Sequence, residues 1–121
     1  QIANNNLIEL KEFNEDSKNL SRLFHHFEYI LNLINDLLKK QNTNLTIVYL
    51  PQYERYSVKY DNIYYKKLKD IAKRNRIKFI DVHEEIFQKE KNFLRLFPHI
   101  KGHYNKEGYK QISDLIYKNI N

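Results

Sequence analysis

The residues best suited to chemistry lie in "GHYNKEGY", Gly102 to Tyr109. His103 supplies an imidazole that can take or give a proton near neutral pH. Asn105 is a good N-cap for a helix that follows it. His103 then falls in a loop just outside that helix N-terminus. Gly102 and Gly108 are the chain's two glycines. Gly102 frees the backbone ahead of His103, and Gly108 lets the following helix sit close to its neighbour. The same pattern also suits a turn glycine, a surface histidine and a packing glycine. Spacing alone leaves both readings open.

The other reactive side chains are less organised. Ser17, Ser21, Ser57 and Ser113 are the serines. None stands in a strand-to-helix turn that would present a nucleophile. His25 and His26 are adjacent on a helical stretch and point different ways, so they cannot chelate one ion together. His99 and His103 share a loop with no third ligand nearby, whereas a zinc site needs more. No metal and no cofactor is implied. The chain has no cysteine, which excludes disulfides, thiol catalysis and Cys-based zinc sites. Tyr49, Tyr53, Tyr56, Tyr60, Tyr64 and Tyr65 cluster around Arg55. Aromatics interleaved with cations can stack bases, line a sugar or acyl pocket, or cover a sheet edge. Tyr53, Arg55 and Tyr56 follow a strand end and are candidates for substrate contact. Tyr104 and Asn105, beside His103, join them. Asp81 at another strand end is a candidate to orient His103, and it can equally cap the turn after it.

Positioning these groups falls to five elements. "SKNLSRLFHHFEYILNLINDLLKK" carries apolar residues in helical steps from Leu20 to Leu38. Asp16 or Ser17 is its expected N-cap, and its end is expected near "QNTN". "LTIVYLP" is a short apolar, β-branched run without alternation, which suits a strand buried on both faces and stopped by Pro51. Ile63 to Ala72 reads as a second helix, "IKFIDV" as a second strand and "EEIFQKE" as a short helix. Residues 92–104 read as an irregular loop. A last helix is expected from Asn105 to Lys118, with Tyr109, Ile112, Leu115 and Ile116 inward. Strands joined by helical crossovers give a parallel sheet with helices on both faces. Ligands of such sheets bind at the carboxyl ends of the strands. The loops after Leu50 and Val82, and the loop carrying His103, are expected to meet there.

With 121 residues, the chain reads as one domain, 1–121. The formal net charge is +6, but the lysines are spread among acidic residues. Solvated helix faces account for that pattern, and nucleic acid is not expected as a partner. No apolar stretch is long enough to cross a membrane. Gln1 leads, no methionine occurs, and two strands make a thin sheet. The chain therefore reads as a cut piece of something longer. An incomplete parallel sheet has an exposed edge that invites self-association.

"GHYNKEGYKQISDLI" resembles the C-terminal block of SGNH/GDSL-type hydrolases, where a histidine, then Asn, then Gly-Tyr begin the final helix. "IVYLPQYERY" resembles the penultimate strand and loop of one bacterial branch of that family, and "FIDVHEEI" and "LFPHIKGHYN" follow in matching order. "ANNNLIEL" resembles a block usually written Gly-x-Asn-Asp, with Asn4 and Asn6 in place of the glycine and the aspartate. The resemblance implies a flavodoxin-like three-layer α/β/α domain with a parallel sheet, of which this chain is the C-terminal portion. It implies an esterase using a Ser-His mechanism on an ester-bearing small molecule or glycan. His103 matches the general base, and Asn5 matches the oxyanion-hole amide. Two departures stand out. The Gly-Asp-Ser nucleophile block is absent, and Ile100 stands where the family usually has an aspartate. The rival reading is a non-catalytic binding or interaction module with a basic, Tyr-rich surface, or a degenerate scaffold.

Overall fold

The computed structural model describes residues 2–57, 59–97 and 102–120, with side chains from residue 15 onward. The chain divides into two compact units, Gln1–Asn44 and Leu45–Asn121.

The first unit is one helix, α1, Ile2–Lys40. It begins well before the expected N-cap at Asp16 or Ser17. The reason is in the sequence: no glycine or proline occurs before Pro51, so nothing breaks the helix ahead of Asp16. It ends where expected. The N–H groups of Asn42 and Thr43 return to the carbonyls of Lys39 and Leu38. Asn42 takes φ 55° to make that turn.

The second unit holds β1 (Thr46–Tyr49), α2 (Glu54–Ser57), α3 (Ile63–Arg74), β2 (Lys78–Asp81) and α4 (Lys106–Ile120). A π-helical turn covers His83–Phe87 and a 3-10 turn covers Phe93–Leu96. This is a mixed α/β unit whose sheet has two parallel strands. Thr46 pairs with Lys78 and Tyr49 with Asp81, so both strands end at one level. The expected crossover helix is α3. It ends as α1 does, with Arg76 at φ 55° and Ile77 N–H bonded to the Ala72 carbonyl. A chain with two glycines, both spent elsewhere, must use other residues in these left-handed positions.

Burial follows the elements. Ile71 and Ala72 on α3, Ile77 just before β2, and Ile80 on it are buried. Beyond β2, Val82, Ile86, Phe87, Leu96, Phe97 and Ile112 form the main cluster, with Leu115 and Ile116 packed against it. Tyr109, expected inward, is 52% exposed and meets Tyr104 edge to face instead. Gly108 takes the inward place on that turn. A Cβ there would stand 2.5 Å from the Leu96 carbonyl oxygen. Gly108 thus lets α4 approach the 3-10 turn.

Candidate functional site

The carboxyl ends of β1 and β2 carry two histidine-bearing regions. The first begins at Asp81. Its Oδ2 accepts from the Tyr65 hydroxyl at 2.7 Å and from Lys69 Nζ at 3.1 Å. Its Oδ1 accepts from the Glu84 N–H at 3.1 Å, which caps the π-helical turn. Tyr65 and Lys69 stand one turn apart on α3 and so share a face. Lys69 also reaches Glu84 Oε1 at 2.5 Å. Burial works against the Asp81 carboxylate, but the bonds from Tyr65, the Glu84 amide and Lys69 outweigh it and hold its pKa below the ordinary value. Burial likewise opposes the Lys69 charge, and Glu84 and Asp81 outweigh that too. Both charges of the pair therefore persist at neutral pH.

His83 follows Asp81 by two residues and is buried. Gln88 Nε2 donates to its Nε2 at 3.1 Å. That leaves the ring proton on Nδ1, which faces the Tyr56 hydroxyl at 2.7 Å. Burial, then the nearby Arg55 charge, pushes the His83 pKa below its ordinary value, so the ring is neutral at pH 7. Sequence reading passed over His83, Lys69 and Glu84. The available signal was "DVHEE" directly past a strand end, facing a Tyr-Lys pair at helical spacing on the preceding helix.

Arg55 sits on α2. Its guanidinium lies 4.5 Å from the Tyr65 ring centroid, 5.3 Å from Tyr60 and 5.8 Å from Tyr49. Nη1 donates to the Tyr49 hydroxyl at 3.2 Å. Its Nε is buried with no hydrogen-bond partner among the described residues. Tyr53 packs edge-on to Phe97, and Tyr56 stacks on Phe87. These two tyrosines, candidates for substrate contact, thus commit their rings to the core. Burial raises the Tyr56 pKa well above its ordinary value.

The second region is the segment before α4. Gly102 takes φ +121°, a conformation that favours glycine. His103 is exposed and makes no hydrogen bond or ion pair among the described residues. Tyr104 donates its hydroxyl to the Pro51 carbonyl, which ties this segment to the carboxyl end of β1. Asn105 caps α4 as expected: its Oδ1 accepts the Gly108 N–H at 2.9 Å. Its Nδ2 donates to the Arg95 carbonyl at 2.6 Å. His103 therefore stands directly before a fixed ring and a fixed cap.

The remaining expected groups lie elsewhere. Asn5 is on α1, with helical backbone, and its side chain lies outside the described residues. His99 and Ile100 also lie outside them. No hydrogen bond joins Asp81 to His103 among the described residues. Ser17 and Ser21 are on α1, Ser57 ends α2 and Ser113 is on α4, and all four are exposed. None stands on a strand-to-helix turn. Among the described residues, no group of His, Asp or Glu could hold a metal ion, and no helix is long and apolar enough to cross a membrane. No protein-family model, no curated protein and no solved structure matches this chain.

Proposed function

We propose that this chain is the histidine-bearing part of an SGNH-type esterase, the C-terminal portion of a flavodoxin-like three-layer domain. One observation supports this reading above the others. The Tyr104–Pro51 hydrogen bond ties the segment that carries the exposed His103, which has no hydrogen bond or ion pair among the described residues, to the carboxyl end of β1, where ligands of parallel sheets bind. An imidazole with open ring nitrogens can take the Oγ proton of a serine as that oxygen attacks an ester carbonyl. The same imidazole then returns the proton to the leaving alkoxide. Water repeats the sequence on the acyl-enzyme and releases the acid. The serine is supplied from outside these 121 residues. Asp81 is already bonded to Tyr65, Lys69 and the Glu84 amide, so a backbone carbonyl serves better as the partner that orients His103. Asn5 remains the candidate oxyanion donor by its place in the resemblance. The substrate class is an acyl ester on a glycan, a lipid or another small molecule.

The test is direct. The coding sequence immediately before Gln1 is expected to hold a Gly-Asp-Ser block within about one hundred residues, an ordinary domain length. The joined chain should hydrolyse p-nitrophenyl acetate, and His103→Ala should lower kcat about a thousandfold or more. The 121-residue chain alone should be inert. Turnover by the joined chain that survives His103→Ala overturns the role of His103 as the base, and a joined chain with no turnover favours the non-catalytic module.

A further inference from the structure

The helix of the first unit carries an apolar seam. Leu20, Leu23, Phe27, Ile30, Ile34 and Leu37 follow one another along α1 in alternating steps of three and four. That spacing keeps a single line of side chains facing a partner helix. The seam runs about 26 Å along the helix axis. It is open: Leu23 is 57% exposed, Ile30 55% and Leu37 59%, and Phe27 and Ile34 are exposed as well. A helix draws most of its stability from packing such a face, and among the described residues α1 is the only element of its unit. Charge is confined to the two ends of the seam. Asp16 stands one step before Leu20, and Lys40 stands beside the far end, past Leu37. Between them, the positions on and next to the seam hold no Asp, Glu, Lys or Arg, the pattern of an interface core inside a charged rim.

We propose that this seam pairs with the same seam of a second copy, antiparallel, to form a two-fold dimer. An axis between Glu28 and Tyr29 sets Leu20 against the second copy's Leu37, Leu23 against its Ile34, and Phe27 against its Ile30. Every seam side chain then meets an apolar one. Asp16 falls beside the second copy's Lys40, and the same pair recurs at the other end. A parallel pair would instead set Lys40 against Lys40 and Asp16 against Asp16, so charge selects the antiparallel order. With ordinary side-chain areas, the exposed fractions leave roughly 500 Å² of seam per copy, so pairing removes about 1,000 Å², the level a specific interface needs. The dimer is independent of the hydrolase reading, because it uses α1 and neither His103 nor a serine.

The experiment is sedimentation of the 121-residue chain across a range of concentrations, joined to thiol cross-linking. The chain should pass from monomer to dimer at about micromolar concentration. Ile30→Glu places a charge in the central layer and should weaken the dimer about a hundredfold or more. Leu23→Gln should weaken it about tenfold. Lys18→Gln, which lies off the seam, should leave it unchanged. Leu23, Ile30 and Lys18 are exposed, so all three variants should keep the helical circular dichroism of the parent. The chain has no cysteine, so single thiols can be introduced. A mixture of Leu20→Cys and Leu37→Cys chains should join across the seam, and Leu20→Cys alone should not. A monomer at every concentration overturns the dimer and leaves the seam to a segment of different sequence. A dimer that survives both Ile30→Glu and Leu23→Gln overturns it in favour of the sheet edge. Cross-linking of Leu20→Cys to itself overturns the antiparallel order.

Discussion

His83 and His103 both stand just past the strand ends of one unit, and they are held in opposite ways. His83 is gripped by a tight turn directly after β2. Its ring packs 5.6 Å from both Tyr56 and Tyr65, and both its nitrogens are engaged. His103 follows a glycine at φ +121°, and the Tyr104 ring and the Asn105 cap fix the chain directly after it. A general base needs access and an open nitrogen before it needs a tuned pKa. On the proposed reading, the His83 region is scaffold and the His103 segment is the reactive edge.

The contact that holds the displayed region in place is Gly108 against Leu96, and breaking it should have the largest effect. Gly108→Ala puts a methyl group 2.5 Å from a backbone oxygen. That oxygen also accepts the Asn105 N–H at 3.0 Å, so moving it loosens the α4 cap. Alanine regains about 1 kcal/mol of helix propensity, against overpacking of ~1–3 kcal/mol and a strained hydrogen bond. The expected net loss is about 2 kcal/mol in urea unfolding. An unchanged midpoint would mean that α4 does not need its close approach.

The fixed region should answer next. Asp81→Ala removes the acceptor for the buried Tyr65 hydroxyl and the cap on Glu84 N–H. Glu84 can still receive the Tyr65 proton at 3.1 Å, which limits the loss to about 1–2 kcal/mol. Glu84→Ala, at an exposed position, should cost less than Asp81→Ala by the same measurement. If the two cost the same, the network is a surface ion pair and not a scaffold.

How much of this contrast could be read in advance depends on the range of each signal. The Asn105 cap and the Gly102 turn are local, set within three or four residues, and the sequence carries them plainly. The strand spans follow from the apolar run "TIVY" and the "KFID" that answers it. The network was harder to see because Tyr65, Lys69, Asp81 and Glu84 meet across a helix and a strand. No spacing rule distinguishes Lys69 from its neighbours Lys66 and Lys67. The tyrosines misled for a related reason: "QYERY" looks like a displayed aromatic surface, yet Tyr53 and Tyr56 turn inward onto Phe87, Phe93 and Phe97. Helical extent was misjudged at α1 because a cap residue starts a helix only if something upstream stops one.

The pH dependence of stability should sharpen the contrast further. The folded pKa of His83 is lowered, so the unfolded chain binds its proton more readily. Stability is then complete above the ordinary value of 6.5 and falls as pH drops below it toward the folded value. Asp81 has the same sign in a lower window, beginning near 3.8. Melting temperature measured from pH 7.5 to 5 should therefore decline, and His83→Gln, which cannot titrate, should flatten that decline. A decline of equal slope in the variant would assign it to another group.

The smallest stability effect belongs to His103. An exposed side chain with no bonded partner among the described residues contributes little to folding, so His103→Ala should shift unfolding by no more than about 0.5 kcal/mol. Its reactivity should be the reverse. Diethyl pyrocarbonate acylates unprotonated imidazole nitrogens that solvent can reach, and peptide mass spectrometry resolves each site. His103 should react at a rate near that of free histidine. His83, neutral but with Gln88 and Tyr56 on its two nitrogens, should lag by the frequency at which its turn opens. Asp81→Ala, by removing the cap on that turn, should raise the His83 rate and leave the His103 rate alone. If His103 were as slow as His83, the open edge would be closed in solution, and the base assigned to it would have no route to a serine.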